Sequence, residues 1–169
     1  MLKHSIQEQL ILHEGISLTP YKCTTGKWTI GVGRNLEDTG LYEFEKMRIL
    51  GTYELTRQEV IDILQVRHIT QEEALYMLDN DIKVITAELE DSYKWFKYLD
   101  EVRQKVIIDM RFNLGSAGFA GFKNMIRQLE LENYQKVAEE MKNSKWYLQV
   151  KTRGDRLIKM MLTGQDYDL

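Results

Sequence analysis

From Thr70 the apolar residues Leu75, Leu78, Ile82, Ile85 and Leu89 step by three and four positions, the spacing of one face of an α-helix. Thr70-Gln71-Glu72-Glu73 ahead of them is a capping box, in which the threonine and the glutamate satisfy each other's backbone N–H groups. Together they predict a helix over about 71–91, long enough to act as a spine between two lobes. Upstream, Leu2, Ile6, Leu10 and His13 predict a first helix over 3–14, ended by Gly15 and Pro20. Residues 27–34 change period to two: Trp28, Ile30 and Val32 alternate with Thr29, Gly31 and Gly33. Tyr21-Lys22-Cys23 is their expected partner strand, with Thr24-Thr25-Gly26 as the turn. Residues 35–69 are hardest to read, and only two short helices, near 42–49 and 56–66, are expected there. Further helical patterns run over about 101–113, 122–130, 134–142 and 150–162, with Gly115, Gly118 and Gly121 interrupting the first pair. The fold class expected is α+β, predominantly α-helical. It is one domain of 169 residues with a small hairpin lobe (15–69), the joining helix (71–91), and a helical lobe (92–164) that also takes helix 3–14.

Composition narrows the function. The net charge of −3 argues against a general nucleic-acid binder, although residues 141–160 carry six Lys and Arg against Asp155 alone. That basic stretch is either a solvated helix face or a surface for an anionic polymer. No apolar run is long enough to span a bilayer, so no stable membrane insertion is expected, and the N-terminus is too charged for a secretory segment. The single cysteine excludes an internal disulfide, and the three histidines lack ligand spacing, so neither metal nor cofactor is expected.

The chemistry concentrates in His13–Arg34. Glu14 ends the first helix, Cys23 precedes the turn, and Thr29 lies on the glycine-bearing strand. One acid facing a pair that can hold or activate water is what cleavage of a glycosidic bond requires. Each residue alone has a bland reading: a solvated carboxylate, a small buried thiol, a strand hydroxyl. Only their joint spacing raises the enzymatic one.

That spacing, Glu14-x8-Cys23-x5-Thr29 within a Glu-Gly…Tyr-Lys…Thr-Ile-Gly-x-Gly frame, resembles the T-even-phage-type lysozymes, the endolysin muramidases of glycoside hydrolase family 24. Asp109–Gly115, Gly118–Phe122 and Ser144-Lys145-Trp146-Tyr147 with Arg153, Arg156 and Thr163-Gly164 extend the likeness in collinear order. The resemblance implies hydrolysis of the β-1,4 bond between N-acetylmuramic acid and N-acetylglucosamine in peptidoglycan. It places Glu14 on the general acid, Thr29 on the hydroxyl that helps hold the attacking water, and Arg153 on the arginine that pairs with the acid. Phe112 and Asn113 fall on substrate-contacting positions, with Gly33 and Asn35 as further ones. It further implies a monomer, made in the host cytoplasm and released to the periplasm by a separate holin-type permeabilising protein.

Three departures matter. Cys23 stands where aspartate is usual, and three roles are open to it: base on a water, covalent nucleophile, or passive thiol. A cation such as Lys22 is one way its thiol could be activated. Arg34 replaces a histidine and is expected to pair with Asp81, linking the lobes for stability rather than chemistry. Thr25 replaces an acid. Two rivals follow: a catalytically silent peptidoglycan-binding module on the same scaffold, and a lytic transglycosylase, against which the water-handling Thr29 argues.

Overall fold

Nine α-helices and one three-stranded sheet account for the regular structure, and the computed structural model describes all of residues 1–169. This is the α+β, mostly helical class read from the periodicity. The chain forms two compact units, residues 10–81 and residues 1–9 with 82–169. Both boundaries fall inside helices: α1 (Ile6–Glu14) and α4 (Gln71–Ser92).

In the unit formed by 10–81, strands β1 (Ser17–Lys22), β2 (Trp28–Gly31) and β3 (Arg34–Asn35) pair antiparallel in that order. Pro20 sits in β1, an edge strand, where the pairing slips between Ser17↔Gly31 and Tyr21↔Thr29. A residue without an N–H is tolerated only at such an edge or bulge. α2 (Glu43–Glu45) runs into a π-helical turn, Lys46–Leu50, stopped by Gly51 at φ 76°. α3 (Arg57–Arg67) starts from a second capping box, Thr56 with Glu59. Ile30, Leu36, Ile61, Leu64, Ala74 and Met77 are the centre of this unit's core. At the head of α4 the box read from sequence is present: Thr70 N–H donates to Glu73 at 3.1 Å, and Glu73 N–H donates to the Thr70 hydroxyl at 3.0 Å.

The other unit is helical. α5 (Glu101–Ala120) runs past the point where the glycines were expected to break it, bending at Gly115 (φ 75°, ψ 170°). α6 (Lys123–Glu130) and α7 (Tyr134–Lys142) follow the periodicity closely. The helix expected over 150–162 is α9 (Thr152–Thr163), but a further short helix, α8 (Lys145–Val150), precedes it, and the two meet at Lys151, which takes φ 48°. Gly154 makes the corner possible, since a Cβ there would lie 2.8 Å from the Tyr147 ring. Val106, Ile107, Met110, Leu129, Met141 and Leu157 are buried at the centre of this bundle. Asp166 fastens the two chain ends by accepting the N–H groups of Lys3 (2.7 Å) and His4 (3.0 Å) and the Lys105 ammonium (2.7 Å).

Candidate active site

Glu14 is the last residue of α1, which Gly15 ends in a left-handed conformation (φ 74°) while donating its N–H to Ile11. Its carboxylate is half-buried and lies against Gly33. A Cβ on Gly33 would come within 3.0 Å of Glu14 Oε2 and 3.1 Å of its Cδ, and Gly33 has φ 65°. Backbone therefore approaches the acid where a side chain would push it aside. Gly31 has a different reason, since its vacant side packs on Ile69 and Ala74 at ordinary distances. We expect Gly33→Ala to displace the Glu14 carboxylate and to cost about 1–2 kcal/mol in backbone strain. Activity should fall by more than the loss of folded protein, measured by turbidity clearing beside thermal melting.

Cys23 opens the hairpin turn. Its N–H donates to Lys27 O (2.9 Å), its carbonyl accepts from Gly26 (2.8 Å), and its Sγ lies 3.1 Å from the Thr25 hydroxyl. The thiol is brought down to about 7, first by that hydroxyl. Partial burial works the other way, while backbone N–H groups of Thr25 and Lys27 and the Thr29 hydroxyl add to the lowering. Lys22 is not among the causes: its ammonium stands 4.8 Å over the Trp28 ring. The activation is led by a neutral hydroxyl, which sequence alone had not suggested.

Thr29 is buried, and its hydroxyl donates to Lys27 O at 3.1 Å. Tyr21 and Asn35 are its register partners on the two flanking strands, so the three form one cross-strand row. Burial, then Glu14 and then Cys23 raise the Tyr21 phenol, so it stays neutral between two acidic groups. Asn35 is held by its own turn, accepting from the N–H groups of Glu37 (2.9 Å) and Asp38 (2.8 Å) and donating to the Asp38 carboxylate (3.0 Å).

The remaining candidates belong to the helical unit. Arg153, next to the α8–α9 corner, donates Nε–H to Asp109 Oδ1 (2.9 Å), and its terminal amino nitrogen makes an ion-pair contact with the same oxygen (2.8 Å). Asp109 is fully buried in α5, and its other oxygen accepts from the Gln9 amide at 2.7 Å. Phe112 packs against the bundle core. Asn113 is exposed, and its carbonyl accepts from the Trp146 indole N–H at 2.9 Å, leaving its amide N–H groups to point elsewhere. Trp146 itself is a packing residue, buried edge-on to Phe122. Beside it lies a groove of about 690 Å³ lined by Leu114, Phe122, Asn143 and Lys145 among others. Asp109, the anchor of Arg153, was missed by sequence reasoning. The available sign was an acid on the stripe of Val102, Val106 and Met110, where only a paired carboxylate can be buried.

Arg34 does bind Asp81, through Nε at 2.9 Å, but the pair is not an exposed bridge between lobes. Both residues lie in the unit 10–81, and Arg34 is 3% exposed. Its remaining N–H groups reach Glu45 twice (2.7 and 3.0 Å), Gly40 O (3.0 Å) and Met77 O (3.1 Å).

No group of three or more His, Cys, Asp or Glu is arranged to hold a metal ion, and no helix is long and apolar enough to cross a membrane. Comparison with known proteins agrees with the family resemblance. The phage lysozyme family profile matches residues 12–160. Probable T4-type lysozyme 1 of Dictyostelium discoideum is 32% identical over 164 residues, 95% of each chain. An endolysin of Acyrthosiphon pisum secondary endosymbiont phage 1 is 29% identical, over 84% of this chain and 81% of its own. The pre-baseplate central spike protein Gp5 of Enterobacteria phage T4 is 26% identical across 95% of this chain and 28% of that longer protein. With 149 consecutive residues matched by the profile and the Glu-Cys-Thr frame lying inside them, the chain belongs to the phage lysozyme family and is a glycoside hydrolase of the lysozyme type.

Proposed function

We propose that this enzyme is an endolysin that hydrolyses the β-1,4 bond between N-acetylmuramic acid and N-acetylglucosamine in bacterial peptidoglycan, with Glu14 as general acid and Cys23 as base. Glu14 donates its proton to the leaving oxygen as the C1–O bond breaks. The Cys23 thiolate takes a proton from a water held with the help of Thr29, and the resulting hydroxyl bonds to C1 from the opposite face. Proton exchange with solvent returns both groups to their starting states. Arg153, fixed by Asp109, supports the acid, while Gly33, Asn35, Phe112 and Asn113 contact the glycan. The enzyme acts as a monomer. It accumulates in the host cytoplasm and reaches the wall when a separate holin-type protein opens the inner membrane.

The observation that supports the base role is the turn geometry, which sets the Thr25 hydroxyl 3.1 Å from Sγ and brings the thiol down to about 7. About half of the groups are ionised at neutrality, where an unassisted thiol with its value near 8.5 is only a few per cent thiolate. A passive thiol needs no such cradle. Product stereochemistry is the test. The base mechanism inverts the anomeric centre in the wild type and in Cys23→Asp, and Cys23→Ala is strongly slowed. A retained anomer from the wild type overturns it in favour of a glycosyl-cysteine. The pH profile provides a second check. A base must be deprotonated, so kcat/KM should rise with pH through about 7. In Cys23→Asp the same limb should drop to about pH 4, the ordinary carboxylate range.

A further inference from the structure

We propose that Thr25 is a positioning residue for the reaction, its hydroxyl directing and stabilising the Cys23 thiolate within the hairpin turn. The proposal rests on the reading of Cys23 as the base. Its ground is geometric. The Cys23–Lys27 and Gly26–Cys23 backbone bonds fix the turn, and this sets the Thr25 hydroxyl 3.1 Å from Sγ. A thiol and a hydroxyl can each donate in such a pair. A thiolate has no proton, so on ionisation the hydroxyl must be the donor, and the bond becomes charge-assisted. It then occupies one lone-pair direction of the sulfur and leaves the others for a water.

Charged neighbours add less: Lys27 interacts with the Cys23 charge, but its own partner is the Asp38 carboxylate at 3.2 Å. Lys22 on β1 is engaged with the Trp28 ring at 4.8 Å. The other titratable groups around the turn are Tyr21, Glu14, Glu37 and Asp38, of which none favours an anion at Cys23. Short-range donors therefore lead the stabilisation, and the Thr25 hydroxyl is first among them, ahead of the Thr25 and Lys27 N–H groups. A carboxylate in place of Thr25 would do the reverse, setting like charges side by side.

Cys23 is the one cysteine in the chain, so no other thiol contributes to the thiolate absorbance, which is read below the pH range where the nine tyrosines ionise. The experiment titrates the full-length protein and, in parallel, records kcat/KM against pH for the wild type, Thr25→Val, Thr25→Ser and Thr25→Glu. Thr25 is exposed on the turn, so the variants should fold, and circular dichroism checks this. In Thr25→Val the absorbance midpoint should move up by about one pH unit toward the ordinary thiol value, and in Thr25→Glu by more. Thr25→Ser should restore it. On the acid limb, where rate follows thiolate fraction, Thr25→Val should lower kcat/KM by about tenfold, with kcat falling and KM unchanged. A wild-type midpoint in Thr25→Val overturns the proposal. If the midpoint moves and the rate limb stays, Thr25 tunes the thiol but Cys23 is not the base. That result overturns the base reading itself, and the two failures are thereby told apart.

Discussion

Replacing Glu14 with Gln should lower the rate of peptidoglycan clearing by about 10²–10⁴-fold, the usual contribution of a positioned proton donor, while leaving the unfolding transition nearly unchanged. The substitution suits this site. Glutamine keeps the shape of the side chain, and shape matters here because the carboxylate occupies space that even a Cβ on Gly33 would crowd, at 3.0 Å. The amide cannot release a proton to a leaving oxygen, so only the chemistry is removed. Lysis of chloroform-treated Gram-negative cells and reducing-end release from purified peptidoglycan both measure the outcome, with pull-down on insoluble wall material as the control for binding. Retained binding without clearing assigns the loss to the chemical step. Undiminished clearing removes Glu14 from the mechanism and, with it, the role given to Cys23 on the other face of the sugar.

How far the sequence carries depends on the kind of interaction. Local, periodic features were legible. The Thr70–Glu73 box and its apolar stripe gave α4, and the alternation over 27–34 gave the hairpin, because each is written within a few consecutive residues. The third strand was not legible, for Arg34–Asn35 is too short to show a period. Nor was the α8–α9 corner, where the left-handed residue is Lys151, not a glycine, and only the Tyr147–Gly154 packing explains the break. For the site, the candidate residues could be named from their spacing. Their electrostatic environment could not: that Thr25 rather than Lys22 attends Cys23 depends on a turn geometry. Likewise Asp109 and Glu45 are acids whose partners are 44 and 11 residues away, and no local pattern connects them to Arg153 and Arg34.

Arg34→Met should destabilise the protein by about 3–5 kcal/mol, the usual consequence of removing one partner from a buried ion pair. For a chain of this size that corresponds to a fall in Tm of roughly 6–20 °C. All five guanidinium N–H groups have acceptors, and the group also lies 4.5 Å over the Tyr42 ring. Although burial works against its charge, Glu45 and Asp81 more than compensate and push its protonation further up, so this residue stays cationic at any accessible pH. Methionine fills similar volume but leaves Glu45, fully buried, and Asp81, 7% exposed, without their counter-charge. Asp81→Asn should be much milder, about 1–2 kcal/mol. The Arg34–Glu45 pair stays balanced, and Glu45 keeps its bonds from Asn80 (3.0 Å) and Tyr42 N–H (2.9 Å). Asp81 also makes stability depend on pH. Burial raises the Asp81 carboxyl above its ordinary value, even against the Arg34 charge. The folded protein therefore holds this proton to higher pH than the unfolded chain does. Stability from Asp81 is fully present below the ordinary carboxylate value and is lost as pH rises through the folded one. Asp81→Asn should abolish that component, giving a ΔG of unfolding that falls less than the wild type's as pH rises across this window. Chemical denaturation at a series of pH values measures this directly. Equal losses for Arg34→Met and Asp81→Asn would mean that the cluster is held by packing around Tyr42 rather than by its charges.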